Sequence, residues 1–338
     1  MKTLHTLFEL DPQGIEARLL RKPTLIETFA VAFPIVLALL FAYLNSSAAM
    51  PFASDFDFYM RALDGTSPFY YTYWSLPIFQ SLALLPGLHT AYILWCVLNV
   101  IGIWFAARVF GGRIAPVLLS YQTLIICFYG QITGITIAGL ALLWWSLHRR
   151  RWALAGVGAA LALIKWQMGI PLCVALVLLA DTSWLDRLRT LLVVLTITLI
   201  SLLLYPGWIV TVLWDVITQP PYRFGDISLW YYVGSVSLIL WLPPLLLPMS
   251  RGRRYAALCA TTALAMPYFQ QTGLLALFVL PLGWFGLLGN LAYLYIWFPD
   301  AQLGFMIVVP ILAYLWTVLP SLRTWLSQFA RRAQAATA

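Results

Sequence analysis

Residues 152–180 read WALAGVGAALALIKWQMGIPLCVALVLLA, 29 residues in which Lys165 is the one charged side chain. About 20 apolar residues in a helix cross a ~30 Å hydrocarbon core. The stretch is therefore either one overlong crossing with an ammonium at mid-depth, or two short helices that turn back at Lys165-Trp166-Gln167. The basic clusters on either side decide between them. Arg149-Arg150-Arg151 precede the stretch, and Arg251, Arg253 and Arg254 follow it after two further apolar runs. A single crossing would put these two clusters on opposite faces. Lys and Arg near membrane spans are retained on the cytoplasmic side, so the hairpin is the expected form and Lys165 lies at an outer turn.

The rest of the chain has the same texture as this hairpin. Of its 338 residues 62% are hydrophobic, 15% aromatic and 9% charged, against about 25% charged in a soluble domain. That excludes a single soluble domain and predicts an all-α polytopic membrane protein. The net charge of +8 comes from short clusters between apolar spans, which is how topology is written and not how nucleic acid is bound. Residues 1–24 are too charged for a cleavable leader and read as an amphipathic cytoplasmic segment, with Leu7, Leu10, Leu19 and Leu20 available to dip into the membrane.

Threading with the basic clusters inside gives about twelve spans in one domain over 25–320. The first is 25–44 and a second returns at Arg108 and Arg113. A third covers 114–128, a fourth 131–148 and a late one 273–287. Outer loops cover 45–76 and 206–228, and a basic tail covers 321–338. Of the 20 Lys and Arg residues only Arg61, Lys165 and Arg223 then fall outside, and both termini lie inside. Cys96, Cys127, Cys173 and Cys259 sit in apolar runs and read as small core residues, and the three His are too far apart for a metal set.

Ionisable groups at or near membrane depth cost several kcal/mol and are functional candidates by default. Here they gather on the outer side. Asp55 can act as a general base towards a hydroxyl; it can equally cap the helix that starts at Phe56, and both readings are open at this point. Asp55 and Asp57 spell D-x-D, which would hold a divalent cation beside a phosphate, but no third ligand is in view. Lys165 either snorkels to an interface or neutralises an anion. Arg223 and Asp226 read as a solvated loop pair or as part of a lid whose Arg223 contacts phosphate. Gln131, Gln270 and Gln271 sit at outer turns, where amides bind hydroxyls, cap helices or bridge spans. Tyr70, Tyr71 and Tyr73 read as an interfacial belt.

The outer loop runs D-F-x-x-Y (Asp55, Phe56, Tyr59), then A-L-x-G-x-x-P-F (Ala62, Leu63, Gly65, Pro68, Phe69), Y-x-Y (Tyr71, Tyr73) and Pro77. Gly130-Gln131 follow at the fourth span, and the basic triplet is followed by A-G-x-x-x-A-L-A-x-x-K ending at Lys165. Over about residues 50–172 this resembles the integral-membrane glycosyltransferases of the C-type (GT-C) fold, above all the polyprenyl-phosphate-mannose-dependent α-mannosyltransferases. The departures are Tyr73-Trp74-Ser75-Leu76-Pro77 where the family shows Y-x-Y-P-P, Trp166 instead of Pro after Lys165, and Gln270-Gln271 where a late His is common.

The resemblance implies transfer of a hexose, mannose in that family, from a polyprenyl-phosphate-linked donor to a lipid or glycan acceptor, with inversion and without a metal. Asp55 matches the acidic position that acts on the acceptor. Asp57 and Tyr59 are its alternative or support, Lys165 and Arg223 are the groups for the donor phosphate, and Gln131, Gln270, Gln271, Tyr71 and Tyr73 are the candidates for sugar or acceptor. The implied setting is a prokaryotic cytoplasmic membrane with the site on its outer face and membrane lipids as surroundings. A transporter or lipid flippase is the rival reading; it would hold its few charges at the midplane, whereas this threading gathers them at one face.

Overall fold

A computed structural model describes residues 10, 13–45, 54–63, 65, 69–218, 226–296 and 304–337. Among these the chain forms 17 α-helices joined by short 3₁₀ segments, and the β pairing is confined to one isolated antiparallel bridge between Asp226 and Gln270. The protein is an all-α membrane protein.

Four helices have the length and apolarity of a membrane span: α2 (Leu25–Asn45), α5 (Leu88–Phe110), α11 (Trp184–Leu204) and α17 (Val308–Thr337, with the 3₁₀ turn before it). Their ends follow from local chemistry. Thr24 and Glu27 form a reciprocal cap on α2, with Glu27 N–H donating to Thr24 Oγ1 at 3.3 Å and Thr24 N–H to Glu27 Oε2 at 3.0 Å, which satisfies two of the donors a helix start leaves unpaired. Ser183 accepts from Asp186 N–H at the start of α11. Gly111, at φ 84°, closes α5, since a left-handed C-cap suits glycine.

The other segments expected as crossings are shorter or broken, so that among the described residues four helices, or five if the bent pair Tyr121–Tyr129 and Thr133–His148 counts as one, match the length and apolarity of a span against the twelve expected. Residues 114–129 are split into α6 (Ile114–Leu118) and α7 (Tyr121–Tyr129), with Ser120 capping the second. The axis of α7 turns through 119° into α8 (Thr133–His148). The straight crossing expected over 273–287 is instead a 3₁₀ turn, the one-turn helix Leu275–Phe278, and a break at 279–284 before the 3₁₀ segment Phe285–Ile296. Pro281 and Gly283, the latter at φ 66°, stop a helix there although the apolar run is unbroken. The segment 206–228, expected as an outer loop, is not all loop, because α12 (Trp208–Thr218) occupies much of it.

The opening stretch 152–180 forms α9 (Trp152–Ala162), a 3₁₀ turn at Leu163–Lys165 and α10 (Trp166–Leu179). Lys165 reaches Thr133, at the start of α8. Arg151 N–H bonds Ser146 at the other end of α8, and Asp181, just past α10, is felt electrostatically by His148. Both ends of the stretch thus lie at the His148 end of α8, and the chain reverses at Lys165. Glycines let α8 and α9 close on each other: a Cβ on Gly139 would lie 2.7 Å from the Gly158 carbonyl oxygen and 2.8 Å from Leu161 Cβ, the close approach that small residues allow between membrane helices. The core is built on α5, α8 and α15 (Arg251–Ala265), with Trp95, Trp144 and Tyr255 fully buried.

The two ends of this bundle differ in charge. At one, Arg108 is buried, pairs with Glu27 at 3.2 Å and donates to the carbonyls of Arg18 and Arg21. Arg149 pairs there with Glu16, and Arg251 with Asp181. The amphipathic segment expected over 1–24 is, among the described residues, the six-residue helix α1 (Ile15–Leu20), with Leu10 and Ile15 buried and Leu20 exposed. Arg18 ties it to the end of α5 through the carbonyls of Arg108 and Val109 at 3.0 and 2.9 Å, so it docks on the protein. At the far end of the chain, α17 runs unbroken past Pro320 through Arg323.

Candidate active site

The opposite end of α8 holds the second concentration of polar groups. It begins with Gly130, which closes α7 at φ 72°. A Cβ there would also meet the Cβ of Phe56. Only glycine satisfies both demands, and the result is that α3 (Ser54–Leu63) packs directly on the 130–132 turn, with Phe56 buried against Trp95 and Tyr92. This brings Asp55, in the first turn of α3, against Gln131, whose side chain hydrogen-bonds its carboxylate.

Lys165 approaches from the hairpin turn. Its Nζ donates to Gln270 Oε1 at 3.0 Å, Thr133 Oγ1 at 3.1 Å and Thr272 Oγ1 at 3.5 Å. Thr133 and Thr272 also touch each other at 3.4 Å. An ammonium has three donor hydrogens, and all three have acceptors here. Asp55 and Lys165 sense each other electrostatically without a direct ion pair. Burial pushes the Asp55 carboxyl above its ordinary value, opposed by the Gln131 hydrogen bond and the Lys165 charge. Burial lowers the Lys165 ammonium from 10.5 to about 8, opposed by the charge of Asp55.

Tyr59 and Tyr71 line the same region. The Tyr59 hydroxyl donates to that of Tyr71 at 3.3 Å, both rings sense Asp55, and burial raises both phenols. They remain protonated donors at neutral pH. The chain at Gln270 is held from behind, where Asp226 Oδ1 accepts from Phe269 N–H at 3.1 Å and Ser228 N–H at 3.0 Å, and Ile227 N–H bonds the Phe269 carbonyl. Asp226 is thus an anchor for the chain at Gln270 and not simply one half of a solvated loop pair.

Of the residues singled out in the sequence, the structure brings together Asp55, Tyr59, Tyr71, Gln131, Lys165 and Gln270. Gln271 is buried beside them, and its Oε1, like Gln131 Oε1 and Trp166 Nε1, has no protein partner among the described residues. Buried polar atoms are normally paired, so these three are available to a ligand or water. Asp57 is turned elsewhere. Its carboxylate is 42% exposed and pairs with Arg61 at 2.8 Å one helical turn on, so the two acids of D-x-D do not converge. Tyr73 stacks on Trp208 at 5.5 Å, meets Tyr205 edge-on, and reaches the Asp55 cluster through Phe69, whose ring packs on Tyr73, Tyr59 and Tyr71. Arg223 lies outside the described residues. Thr133 and Thr272 went unseen in the sequence, where a hydroxyl in an apolar helix ordinarily bonds its own backbone.

No family model, curated protein or solved structure matches the chain.

Proposed function

We propose that this protein is a C-type integral-membrane glycosyltransferase that moves a hexose, mannose by resemblance, from a polyprenyl-phosphate-linked donor to a lipid or glycan acceptor. The observation that carries the reading is the pairing of Asp55 and Lys165. A carboxylate and an ammonium come from distant segments to one polar cluster without cancelling each other in a direct ion pair, among hydroxyls, amides and buried polar atoms that have no protein partner.

The chemistry is one displacement. The acceptor hydroxyl gives its proton to Asp55, its oxygen bonds the anomeric carbon with inversion, and the bond from that carbon to the phosphate oxygen breaks. Polyprenyl phosphate leaves with one more negative charge, which Lys165 offsets where it develops. Arg223 is a second candidate for the same phosphate. Gln131 holds the base, and Tyr71, Gln270 and Gln271 are donors and acceptors for sugar or acceptor hydroxyls. No step needs a metal. The Arg-rich end faces the cytoplasm, with both termini, and the site opens to the outer face of a prokaryotic cytoplasmic membrane, where about twelve crossings include the short and broken helices.

The test is a transfer assay with radiolabelled decaprenyl-phosphate-mannose on purified Asp55→Asn and Asp57→Asn. Asn keeps the shape of Asp55 and its contact with Gln131 but accepts no proton. Asp55→Asn should lose about 10²- to 10⁴-fold in transfer with donor binding retained, and Asp57→Asn should stay near wild type. Wild-type transfer by Asp55→Asn would remove the base and the reading with it.

A further inference from the structure

A second feature lies at the Arg-rich end, at the opposite end of α9 from Lys165. There α9 and α11 meet at Gly156, where a Cβ would lie 2.6 Å from Val193 Cγ1 and 3.0 Å from the Thr190 carbonyl oxygen. Beside that crossing the helices leave a cleft of about 320 Å³, lined by Trp152, Arg189, Leu192, Val193, Thr196 and Ile197. The five from α11 are spaced i, i+3, i+4, i+7 and i+8, one continuous helix face about 12 Å long. The cleft is apolar along its length and basic at one end. There the exposed Arg189 guanidinium lies 5.9 Å over the Trp152 ring and forms a long ion pair with Asp186, one helical turn back, at 3.6 Å, a pair that an entering phosphate would have to share. Arg149, Arg150 and Arg151, all exposed, immediately precede Trp152.

We infer that this cleft binds an anionic phospholipid, with an acyl chain lying along α11 from Leu192 to Ile197 and the phosphate at Arg189. Three features select this ligand. The wall suits a hydrocarbon chain and gives a free phosphate or sugar phosphate nothing to hold. Basic side chains at the mouth favour net negative charge over a zwitterion. Trp152 is at the rim, where an indole sits at headgroup level, and the rest of the α11 surface, including Leu188, Leu195 and Leu199, is exposed and apolar, so a lipid reaches the cleft from the bilayer. The inference does not depend on the proposed transfer reaction.

The experiment is native mass spectrometry of the full chain in detergent, titrated with dioleoyl-phosphatidylglycerol or dioleoyl-phosphatidylcholine. Wild type should bind phosphatidylglycerol more tightly, and Arg189→Gln should weaken it about fivefold, the equivalent of about 1 kcal/mol per basic group near an anionic lipid, with phosphatidylcholine unchanged. Thr196→Trp, which fills the slot, should weaken both lipids. Glycerol phosphate, the headgroup chemistry without chains, should not compete. Both positions are exposed, and an unchanged melting temperature verifies that each variant folds. Retention of the phosphatidylglycerol preference in Arg189→Gln, equal binding in Thr196→Trp, or competition by glycerol phosphate would each overturn the assignment.

Discussion

Raising the pH through about 8 takes the proton off Lys165, and on the proposed mechanism this removes the charge that offsets the departing phosphate. Transfer should then fall about tenfold for each unit above 8, the alkaline limb of a profile whose acid limb belongs to Asp55. Lys165→Arg keeps a cation that does not titrate in this range, so its alkaline limb should vanish even if its maximum rate is lower. Lys165→Met should be slow at every pH, and should bind the donor more weakly. Stability should move in the opposite direction. The folded pKa is depressed, so between about 8 and the ordinary 10.5 the unfolded chain holds more protons than the folded one. Folding is therefore penalised below 8 and gains as pH rises through that window, by up to about 3 kcal/mol at 1.36 kcal/mol per unit. The assays are initial rates of mannose transfer and unfolding midpoints in mixed micelles, both from pH 5 to 10.5. An alkaline limb that persists in Lys165→Arg, or a wild-type rate that is flat through pH 9, would refute the assignment of the charge to Lys165.

Gln131→Leu removes a hydrogen bond that lowers the Asp55 pKa; that pKa should climb further, and the acid limb of the transfer profile should move to higher pH. Gly139→Val drives a side chain into Gly158 and Leu161 across the α8–α9 contact; overpacking of this kind costs about 1–3 kcal/mol, read as a lower melting temperature. Arg108→Met strips the buried partner from Glu27 and the donors from the Arg18 and Arg21 carbonyls. Glu27 keeps Arg21 as a partner, so the cost is that of the buried hydrogen bonds left unmade, about 1–3 kcal/mol, and limited proteolysis should show the α1 segment loosened.

How much of this was legible depends on whether a residue announces itself against its background. The hairpin at Lys165 was, because one ammonium in 29 apolar residues has to be explained and the flanking arginines leave one explanation. Asp55 was visible as an acid in the polar segment that follows the first apolar span, but its difference from Asp57 was not. Two residues apart on a helix means about 200° of rotation, and only the packing of α3 on Gly130 decides which carboxylate turns inward and which pairs with Arg61. Thr133 and Thr272 were invisible, since an apolar helix carries many such hydroxyls and it takes the tertiary meeting of two turns to aim them at Lys165. The broken stretch 273–287 was misread for the converse reason. Its hydropathy is continuous, and the helix-stopping force of Pro281 and Gly283 is local.

The geometry also explains why an acid and a cation are kept apart here. Had they met directly, each would have neutralised the other, and neither proton uptake by Asp55 nor charge compensation by Lys165 would be available to a ligand. Instead Lys165 spends its three hydrogens on neutral acceptors, Thr133, Thr272 and Gln270, and Asp55 is held by an amide, Gln131. Neutral partners fix position without cancelling charge. They also leave each group at the cost of its own burial, which is why the carboxyl is pushed up and the ammonium down, towards the neutral pH at which, on the proposed mechanism, a base and a leaving-group cation both work. A phosphate entering beside Lys165 would compete for hydrogens now given to hydroxyls and an amide, a far weaker hold than a carboxylate. On the proposed mechanism, the cluster exchanges these partners for the donor phosphate when it arrives.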